Sequence, residues 1–260
     1  MNIVISGGLG YLAQALTEQL ISVGHHIIAL DIVPESEFTN NTKIKSKMDY
    51  YQCDIIDEQS VQAVFAAIKN QNIEIHCVIS NAAIAEFSEV GDCTAVRFQQ
   101  ILNTNVVGTF NLFKAAQAEL IRNNGYFLTI GSLAGSAATP GLSMYASSKA
   151  AVEALTDVLR NEMALQSVRI GCAYFSFIQS PMMNQFNQNE RFQYLLKMMP
   201  WPLNQMLSVD KAVAALVDGI HCKKIRIYTP KWIGFLLAFR WFLSKNPSIY
   251  IPILKKWRNK

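Results

Sequence analysis

Charged residues are scarce in this chain. Asp, Glu, Lys and Arg make up only 16% of its 260 residues, and the net charge is +4. The first 220 residues contain no basic helix and no Arg-rich run, so the composition argues against a nucleic-acid-binding protein. Because 51% of the residues are hydrophobic, the chain can instead bury the core of one large domain.

Metal-ligand and disulfide patterns are also missing. The four histidines have no metal-ligand spacing, so no metal site is predicted. The five cysteines are odd in number, scattered and mostly inside apolar runs, which indicates reduced core thiols in a cytoplasmic protein. The chain opens directly on a strand pattern, without a cationic segment or a long apolar run, so no secretory signal is expected.

The sequence does contain a regular alternation of short β-branched runs with amphipathic helical patterns. This alternation is typical of a parallel sheet covered on both faces. The predicted fold class is therefore α/β, with a single Rossmann-type, doubly wound sheet in residues 1–230 and an insertion above the sheet at 175–208. We predict strands near 2–6, 26–31, 48–54, 74–80, 125–131, 168–174 and 225–229, and helices near 11–23, 58–70, 94–122, 143–166 and 209–220.

The stretch from Ser132 to Lys149 carries the strongest chemical signal. After Pro140 the residues favour a helix, so Tyr145 and Lys149 fall at positions i and i+4 on one helical face. A lysine ammonium close to a phenol favours the phenolate, which moves the tyrosine pKa toward the range where acid–base catalysis is most effective. Ser132 ends an apolar run and is placed to hydrogen-bond the oxygen that exchanges this proton. A tyrosine and a lysine four residues apart also occur by chance. The pair therefore becomes evidence for a catalytic site only together with Ser132 and a glycine-rich turn at the start of the chain.

A glycine-rich turn lies between the first predicted strand and the first predicted helix. Glycines there allow a tight turn and close approach of the backbone to a pyrophosphate, which the helix N-terminus attracts. The second predicted strand ends in Asp31, whose carboxylate can accept from two ribose hydroxyls and repels a 2′-phosphate. No Arg or Lys follows until Lys43, so NAD is favoured over NADP. The turn reads Ser6-Gly7-Gly8-Leu9-Gly10-Tyr11-Leu12-Ala13.

Ser132, Tyr145 thirteen residues later, Lys149 four further on and the glycine turn together resemble the short-chain dehydrogenase/reductase family. The resemblance covers roughly residues 1–230. It implies NAD(P)-dependent hydride transfer between nicotinamide C4 and an alcohol or carbonyl carbon, on a sheet of strand order 3-2-1-4-5-6-7. It also implies that Tyr145 exchanges the hydroxyl proton, Ser132 polarises the substrate oxygen, and Lys149 lowers the tyrosine pKa and holds the nicotinamide ribose.

The same resemblance implies a set of cofactor contacts. Residues Gly7 to Leu12 would surround the pyrophosphate, although their spacing is closer to the T-G-x-x-G-x-x-G form of extended members. Asp54 and Ile55 match a pair that contacts the adenine. The turn Ser80-Asn81-Ala82-Ala83 matches the family's Asn-Asn-Ala-Gly turn, where small residues let the cofactor pass close to the backbone.

Three further positions follow from the resemblance. Asn105 matches an asparagine that holds a water leading from the lysine to solvent; the alternative is a buried structural asparagine. Ile178 and Ser180 match the positions that hold the nicotinamide carboxamide. Before them, Phe175-Ser176 replaces the family's usual Pro-Gly pair.

Methionine and aromatic residues are concentrated after the sixth predicted strand. They suit an adaptable apolar pocket, so we expect a lipophilic substrate of the steroid, retinoid, acyl or long-chain alcohol type, although the same residues could form core. Two alternatives stay open. A nucleotide-sugar epimerase or dehydratase would need a larger C-terminal domain, and a catalytically silent NAD-binding sensor would not need Ser132, Tyr145, Lys149 and Asn105 together. We expect a homodimer or homotetramer built on helices 94–122 and 143–166.

The C-terminal tail, residues 231–260, combines apolar and basic residues. After Asp218 the chain has ten Lys and Arg and no Asp or Glu. Residues 232–243 are apolar almost all round a helix, but they are too few to span a hydrocarbon core, which needs about 20 residues. The segment could lie on an anionic membrane surface. It could equally close the substrate pocket or pack on a partner subunit.

Overall fold

A seven-stranded parallel sheet forms the centre of the protein. The structure is a computed structural model that describes residues 1–34, 48–137, 139–238 and 255. The strand order is β3-β2-β1-β4-β5-β6-β7, which confirms the predicted fold class and strand order. The strands are β1 (Asn2–Ser6), β2 (His26–Asp31), β3 (Met48–Gln52), β4 (Cys77–Ser80), β5 (Tyr126–Ile130), β6 (Arg169–Phe175) and β7 (Arg226–Thr229).

Helices connect the strands, and local capping residues set where several of them begin. The Asp57 side chain accepts from the Gln59 N–H at 2.9 Å at the start of α2, and the Thr94 hydroxyl accepts from the Arg97 N–H at 3.1 Å at the start of α3. The helices are α1 (Tyr11–Ser22), α2 (Glu58–Asn70), α3 (Ala95–Leu102), α4 (Gly108–Arg122), α5 (Ala134–Ala137), α6 (Ser143–Glu162), α7 (Pro181–Asn187), α8 (Glu190–Met198), α9 (Val209–His221) and α10 (Trp232–Ala238).

Several predicted boundaries need correction. The predicted helix 94–122 is divided into α3 and α4 by a π-helical turn, Asn103–Val107. The predicted helix 143–166 ends at Glu162, and β3 and β4 are shorter than the predicted strands 48–54 and 74–80. The predicted insertion at 175–208 contains α7 and α8, which pack together around the buried rings of Phe186 and Phe192.

Alternating residues of each strand face two different cores. On one side of the sheet, Ile3 and Ile5 of β1 pack with apolar residues of α1 and α9. On the other side, Val4 of the same strand packs with apolar residues of α2, α4 and α6. Because both faces are covered, the strands are buried almost throughout, as expected for a parallel sheet.

The strand order reverses between β1 and β4, and this reversal opens a crevice at the carboxyl ends of the strands. The Ser6 hydroxyl at the end of β1 ties the two strands together. It accepts from the N–H groups of Asn81 and Ala82 at 3.1 and 3.2 Å. Both turns that border the crevice are therefore held in fixed relative positions.

The start of the C-terminal tail packs onto the sheet. Ile233 and Leu237 of α10 are buried against Cys172 and Tyr174 of β6. Apart from Lys255, the tail beyond residue 238 lies outside the described residues, so the membrane-surface and subunit-contact hypotheses stay predictions. Within the described ranges, no helix has the length and apolar character needed to cross a membrane.

Candidate active site

A cavity of about 780 Å³ lies at the carboxyl ends of the strands and extends to α7, α8 and α10. Most residues predicted for the site line this one space. Gly8, Leu9 and Asn105 do not line it. The predicted residues that do are Gly7, Gly10, Tyr11, Leu12, Asp31, Asp54, Ile55, Asn81, Ala82, Ala83, Ser132, Tyr145, Lys149, Ile178 and Ser180.

Ser132, Tyr145 and Lys149 meet where β5 points into the cavity. Ser132 follows β5 by two residues, and the other two lie one turn apart on α6. The Ser132 side chain hydrogen-bonds to Tyr145. The Lys149 Nζ lies 5.7 Å from the centroid of the Tyr145 ring and donates to the Ile130 carbonyl at 2.8 Å. A proton-exchanging phenol, a hydroxyl partner and an ammonium therefore share one site.

Burial sets the electrostatics of this group. It raises the pKa of the Tyr145 phenol, while the hydrogen bond with Ser132 lowers it. It also lowers the pKa of Lys149 to about 8, with the Cys172 thiol acting in the opposite direction. The expectation that Lys149 lowers the tyrosine pKa therefore stays a prediction. Desolvation of the phenol dominates, and the ammonium is engaged by the Ile130 carbonyl.

Asn105 lies behind the site, in the π-helical turn, and is almost fully buried. Its amide oxygen accepts from the Ile84 N–H at 2.9 Å, and its amide nitrogen donates to the Ile84 carbonyl at 3.0 Å and to the Ser148 hydroxyl at 2.8 Å. Ser148 in turn donates to the carbonyl of Tyr145. This is the geometry of a structural asparagine that braces the first turns of α6; the water-holding role stays a prediction.

The glycine turn is shaped for close backbone approach. Gly7 has a φ of +61°, in the left-handed region, and a Cβ there would lie 2.8 Å from the Ala82 Cα. The Asn81 amide crosses the crevice and donates to the carbonyls of Ser6 and Gly7, both at 3.1 Å. Gly10, which has no side chain, is the N-cap of α1, and no described side chain caps this helix end. The helix therefore begins without a side-chain cap, and its first residues, Tyr11 and Leu12, line the cavity.

Asp31 has two functions in the geometry. Its Oδ2 accepts from the Leu9 N–H at 3.0 Å, and its Oδ1 accepts from the Val33 N–H at 3.4 Å. The carboxylate therefore holds the glycine turn as well as lining the cavity. Leu9 therefore contributes to the site through its backbone N–H, which holds the Asp31 carboxylate, although Leu9 does not line the cavity. Gly8 is outside because it packs on Ala29.

The remaining predicted contacts lie at the two ends of the cavity. Asp54 accepts from the Ile56 N–H at 2.9 Å in a turn beyond β3, beside Ile55. At the other end, Ile178 forms a parallel bridge with Leu207: the Leu207 N–H donates to the Phe177 carbonyl at 2.7 Å, and the Gln179 N–H donates to the Leu207 carbonyl at 2.9 Å. In a parallel bridge the N–H and C=O of Ile178 itself point away from Leu207. Ser180 caps α7, and its hydroxyl accepts from Met183.

This arrangement fits a dinucleotide. The glycine turn and the α1 N-terminus would hold the pyrophosphate, Asp31 would bind a ribose, and Ile55 would border the adenine. Sequence reasoning missed two residues that serve the site. Ser148 is one of several small residues on α6, and nothing in the sequence marks it as the link to Asn105. Leu236 lines the cavity from α10, where the apolar tail was the only signal.

The sheet order, the glycine turn and the crevice define a Rossmann-type nucleotide-binding protein with a tyrosine–lysine site. Residues 1–191 match the short chain dehydrogenase family. The chain therefore belongs to the short-chain dehydrogenase/reductase family of oxidoreductases.

Individual relatives agree with this family, and a solved structure shares the fold. The uncharacterized oxidoreductase YgfF of Escherichia coli (strain K12) is 33% identical over 148 residues, which are 54% of this chain and 60% of the relative. The 3-hydroxyacyl-CoA dehydrogenase type-2 of Drosophila melanogaster is 26% identical over 233 residues, covering 84% of this chain and 89% of the relative. NAD⁺-bound xylitol dehydrogenase has a TM-score of 0.75 at 21% identity, covering 87% of this chain and 96% of that one. For two curated relatives, the match spans only 59 and 60% of their length.

Proposed function

We propose that this protein transfers a hydride between NAD(H) and a lipophilic alcohol or carbonyl compound. The main support for this proposal is that one cavity is lined both by the glycine turn and Asp31 and by Ser132, Tyr145 and Lys149. The family is one of NAD(P)-dependent oxidoreductases, and its members include dehydrogenases of hydroxyl compounds. A cavity that held only a nucleotide would not need the second group of residues.

Each residue has a defined task in the proposed reaction. Bound NAD⁺ supplies the hydride acceptor at nicotinamide C4. Tyr145 accepts the substrate hydroxyl proton, and Ser132 orients the same oxygen by hydrogen bonding. Lys149 holds the nicotinamide ribose, and its positive charge favours the ionised phenol. Because burial raises the pKa of Tyr145, this charge is needed to make the phenol a proton acceptor.

The proposed preference for NAD rests on Asp31. Its carboxylate lines the cavity at the end of β2, where a ribose hydroxyl pair would bind and a 2′-phosphate would be repelled. The next residue, Ile32, is 61% exposed and offers no cation to a phosphate. In the sequence, Lys43 is the first basic residue after Asp31.

The proposed lipophilic substrate rests on the lining beyond Tyr145. Among the described residues of the cavity, the charged ones are Asp31, Asp54 and Lys149, and all three are assigned to cofactor binding or catalysis. Apart from Ser176 and Ser180, the wall near α7 and α8 is apolar and rich in flexible thioethers. It includes Leu142, Phe177, Met182, Met183, Phe186, Met198, Met199, Pro200 and Leu203.

A substrate screen tests this proposal. Hydroxysteroids, retinol, 3-hydroxyacyl thioesters and long-chain alcohols are each mixed with NAD⁺ and with NADP⁺, and reduction is followed by nicotinamide absorbance. We expect turnover of at least one lipophilic class, faster with NAD⁺. Tight NADH binding without turnover of any class would support a nucleotide sensor instead.

A further inference from the structure

The apolar half of the cavity has a wall contributed by the C-terminal segment. Leu236 of α10 lines the cavity, whereas its neighbours Ile233 and Leu237 are buried under the helix. The adenine-side residue Asp31 ends β2 and Asp54 follows β3 at one edge of the sheet, whereas α10 follows β7 at the other edge. Leu236 therefore belongs to the substrate half rather than the nucleotide half.

The helix that carries Leu236 is fixed to the sheet by close packing. Ile233 and Leu237 pack on Cys172 and Tyr174 of β6. A Cβ on Gly234 would lie 2.7 Å from the Tyr228 ring, so the helix backbone rests directly on that ring. Tyr228 in turn lies beside Tyr174, with ring centroids 5.4 Å apart. A displacement of α10 would open a gap in this packing, which the dense interior disfavours.

An ionic cluster fixes β7, the strand that leads into α10. The Arg226 guanidinium donates to Glu153 at 3.3 Å, to Asp157 at 3.1 Å and to the Tyr174 hydroxyl at 3.1 Å. Glu153 and Asp157 are on α6, the helix that carries Tyr145 and Lys149. The wall containing Leu236 is thus held in register with the helix that bears the catalytic groups.

We propose that Leu236 is a specificity-determining residue that sets how long a lipophilic substrate the cavity accepts. Methionines of α7 and α8 form an adaptable part of the same lining, because thioether side chains change shape at low cost. The anchored leucine is the rigid part, so its size limits the chain that fits past Tyr145. This inference rests on the proposed function for its chemistry, but it concerns the shape of the cavity alone.

The test measures binding separately from turnover. Straight-chain alcohols from hexanol to hexadecanol displace a neutral fluorescent probe, N-phenylnaphthylamine, from the full-length protein in the presence of NADH. The variants are Leu236→Ala, which opens the wall, and Leu236→Phe, which closes it. Phe235→Ala is the matched control, since Phe235 is on the same helix but is 72% exposed and does not line the cavity.

The expected result is a shift in preferred chain length. Leu236→Ala should favour alcohols longer by about two methylenes, with affinity gains of roughly fourfold for each methylene newly buried. Leu236→Phe should favour shorter alcohols, and Phe235→Ala should match the unaltered protein. The proposal is overturned if folded Leu236 variants keep the original chain-length profile, or if no alcohol displaces the probe from the unaltered protein. Displacement in this assay, combined with no turnover of any alcohol with NAD⁺ in the substrate screen, would instead count against the proposed reaction alone.

Discussion

Lys149 is a buried cation whose position costs stability. Its Nζ has the Ile130 carbonyl as a hydrogen-bond partner, and burial lowers its pKa from the ordinary value of 10.5 to about 8. Below that pH the lysine is protonated in both the folded and the unfolded chain, and the folded chain bears the desolvation cost of the charge. A buried lysine with a strongly shifted pKa in a cavity is consistent with a direct task in the reaction.

Replacing Lys149 should therefore stabilise the protein while inactivating it. At pH 7 we expect Lys149→Met to raise the free energy of unfolding. The gain should be at most about 3 kcal/mol, which is the full desolvation cost that corresponds to the lowered pKa of Lys149. Between pH 8 and 10.5 the unfolded chain binds more protons at this residue than the folded chain, so the unaltered protein gains stability as the pH rises. The advantage of Lys149→Met should shrink over that range. Thermal unfolding against pH checks this, and an advantage that is independent of pH would contradict it.

Asp31 combines cofactor selection with support of the glycine turn. The substitution Asp31→Asn keeps an oxygen that can accept from the Leu9 N–H but removes the negative charge. We expect it to narrow the preference for NAD over NADP by roughly tenfold or more, corresponding to about 1.4 kcal/mol less repulsion of the 2′-phosphate. Kinetics with both cofactors measure this. Asp31→Ala is the comparison variant, since it should also loosen the turn; unchanged selectivity in both would mean that Asp31 does not face the ribose.

At the scale of elements, Arg226 links β7 to α6. Its partner Glu153 has a side chain that is only 7% exposed, so Arg226→Met would leave a buried carboxylate without its cation. Because Arg226 itself is 34% exposed, we expect a loss of about 1–3 kcal/mol in unfolding free energy, less than for a fully buried pair. Denaturant unfolding measures it. Adding Glu153→Gln to Arg226→Met should recover part of the lost unfolding free energy. If the double variant instead loses as much as the sum of the two single variants, the two side chains do not interact.

The elements also show why parts of the site could be predicted and others could not. Tyr145 and Lys149 share a face because helical spacing alone places residues i and i+4 together. Asp31 is at the end of a strand whose apolar run is visible in the sequence. The π-helical turn at Asn103–Val107 was missed because one extra residue in a long apolar helix leaves the surrounding periodicity almost unchanged.

Contacts between distant segments account for the other misses. The engagement of Lys149 by the Ile130 carbonyl, and the burial that raises the pKa of Tyr145, depend on how α6 packs on β5. That packing cannot be predicted from the residues near Lys149 and Tyr145 in the sequence. Leu236 was one apolar residue in an apolar tail, and only the packing of α10 on β6 separates it from its buried neighbours.

At the scale of the whole molecule, the helices predicted to form a subunit interface carry exposed apolar side chains. Val107 lies in the π-helical turn, Phe110 on α4 and Val158 on α6, and they are 40, 44 and 52% exposed. We propose that these helices pair with a second copy of the chain. Light scattering should show a dimer or tetramer for the unaltered protein, and Phe110→Glu with Val158→Glu should give smaller species. Leu165→Glu, at a residue that is 98% exposed and lies beyond the end of α6 at Glu162, is the control. A monomeric unaltered protein would contradict the prediction.

Tyr145→Phe tests the central claim most directly, because it removes one oxygen atom from the proposed proton acceptor and leaves the ring. With a substrate identified by the screen, we predict a fall in kcat of roughly 10²- to 10⁴-fold, the usual contribution of a positioned acid–base group. NADH binding, measured by fluorescence titration, should be nearly unchanged. A variant that binds NADH normally and keeps more than about a tenth of the rate would contradict the account, since proton exchange would then not depend on Tyr145.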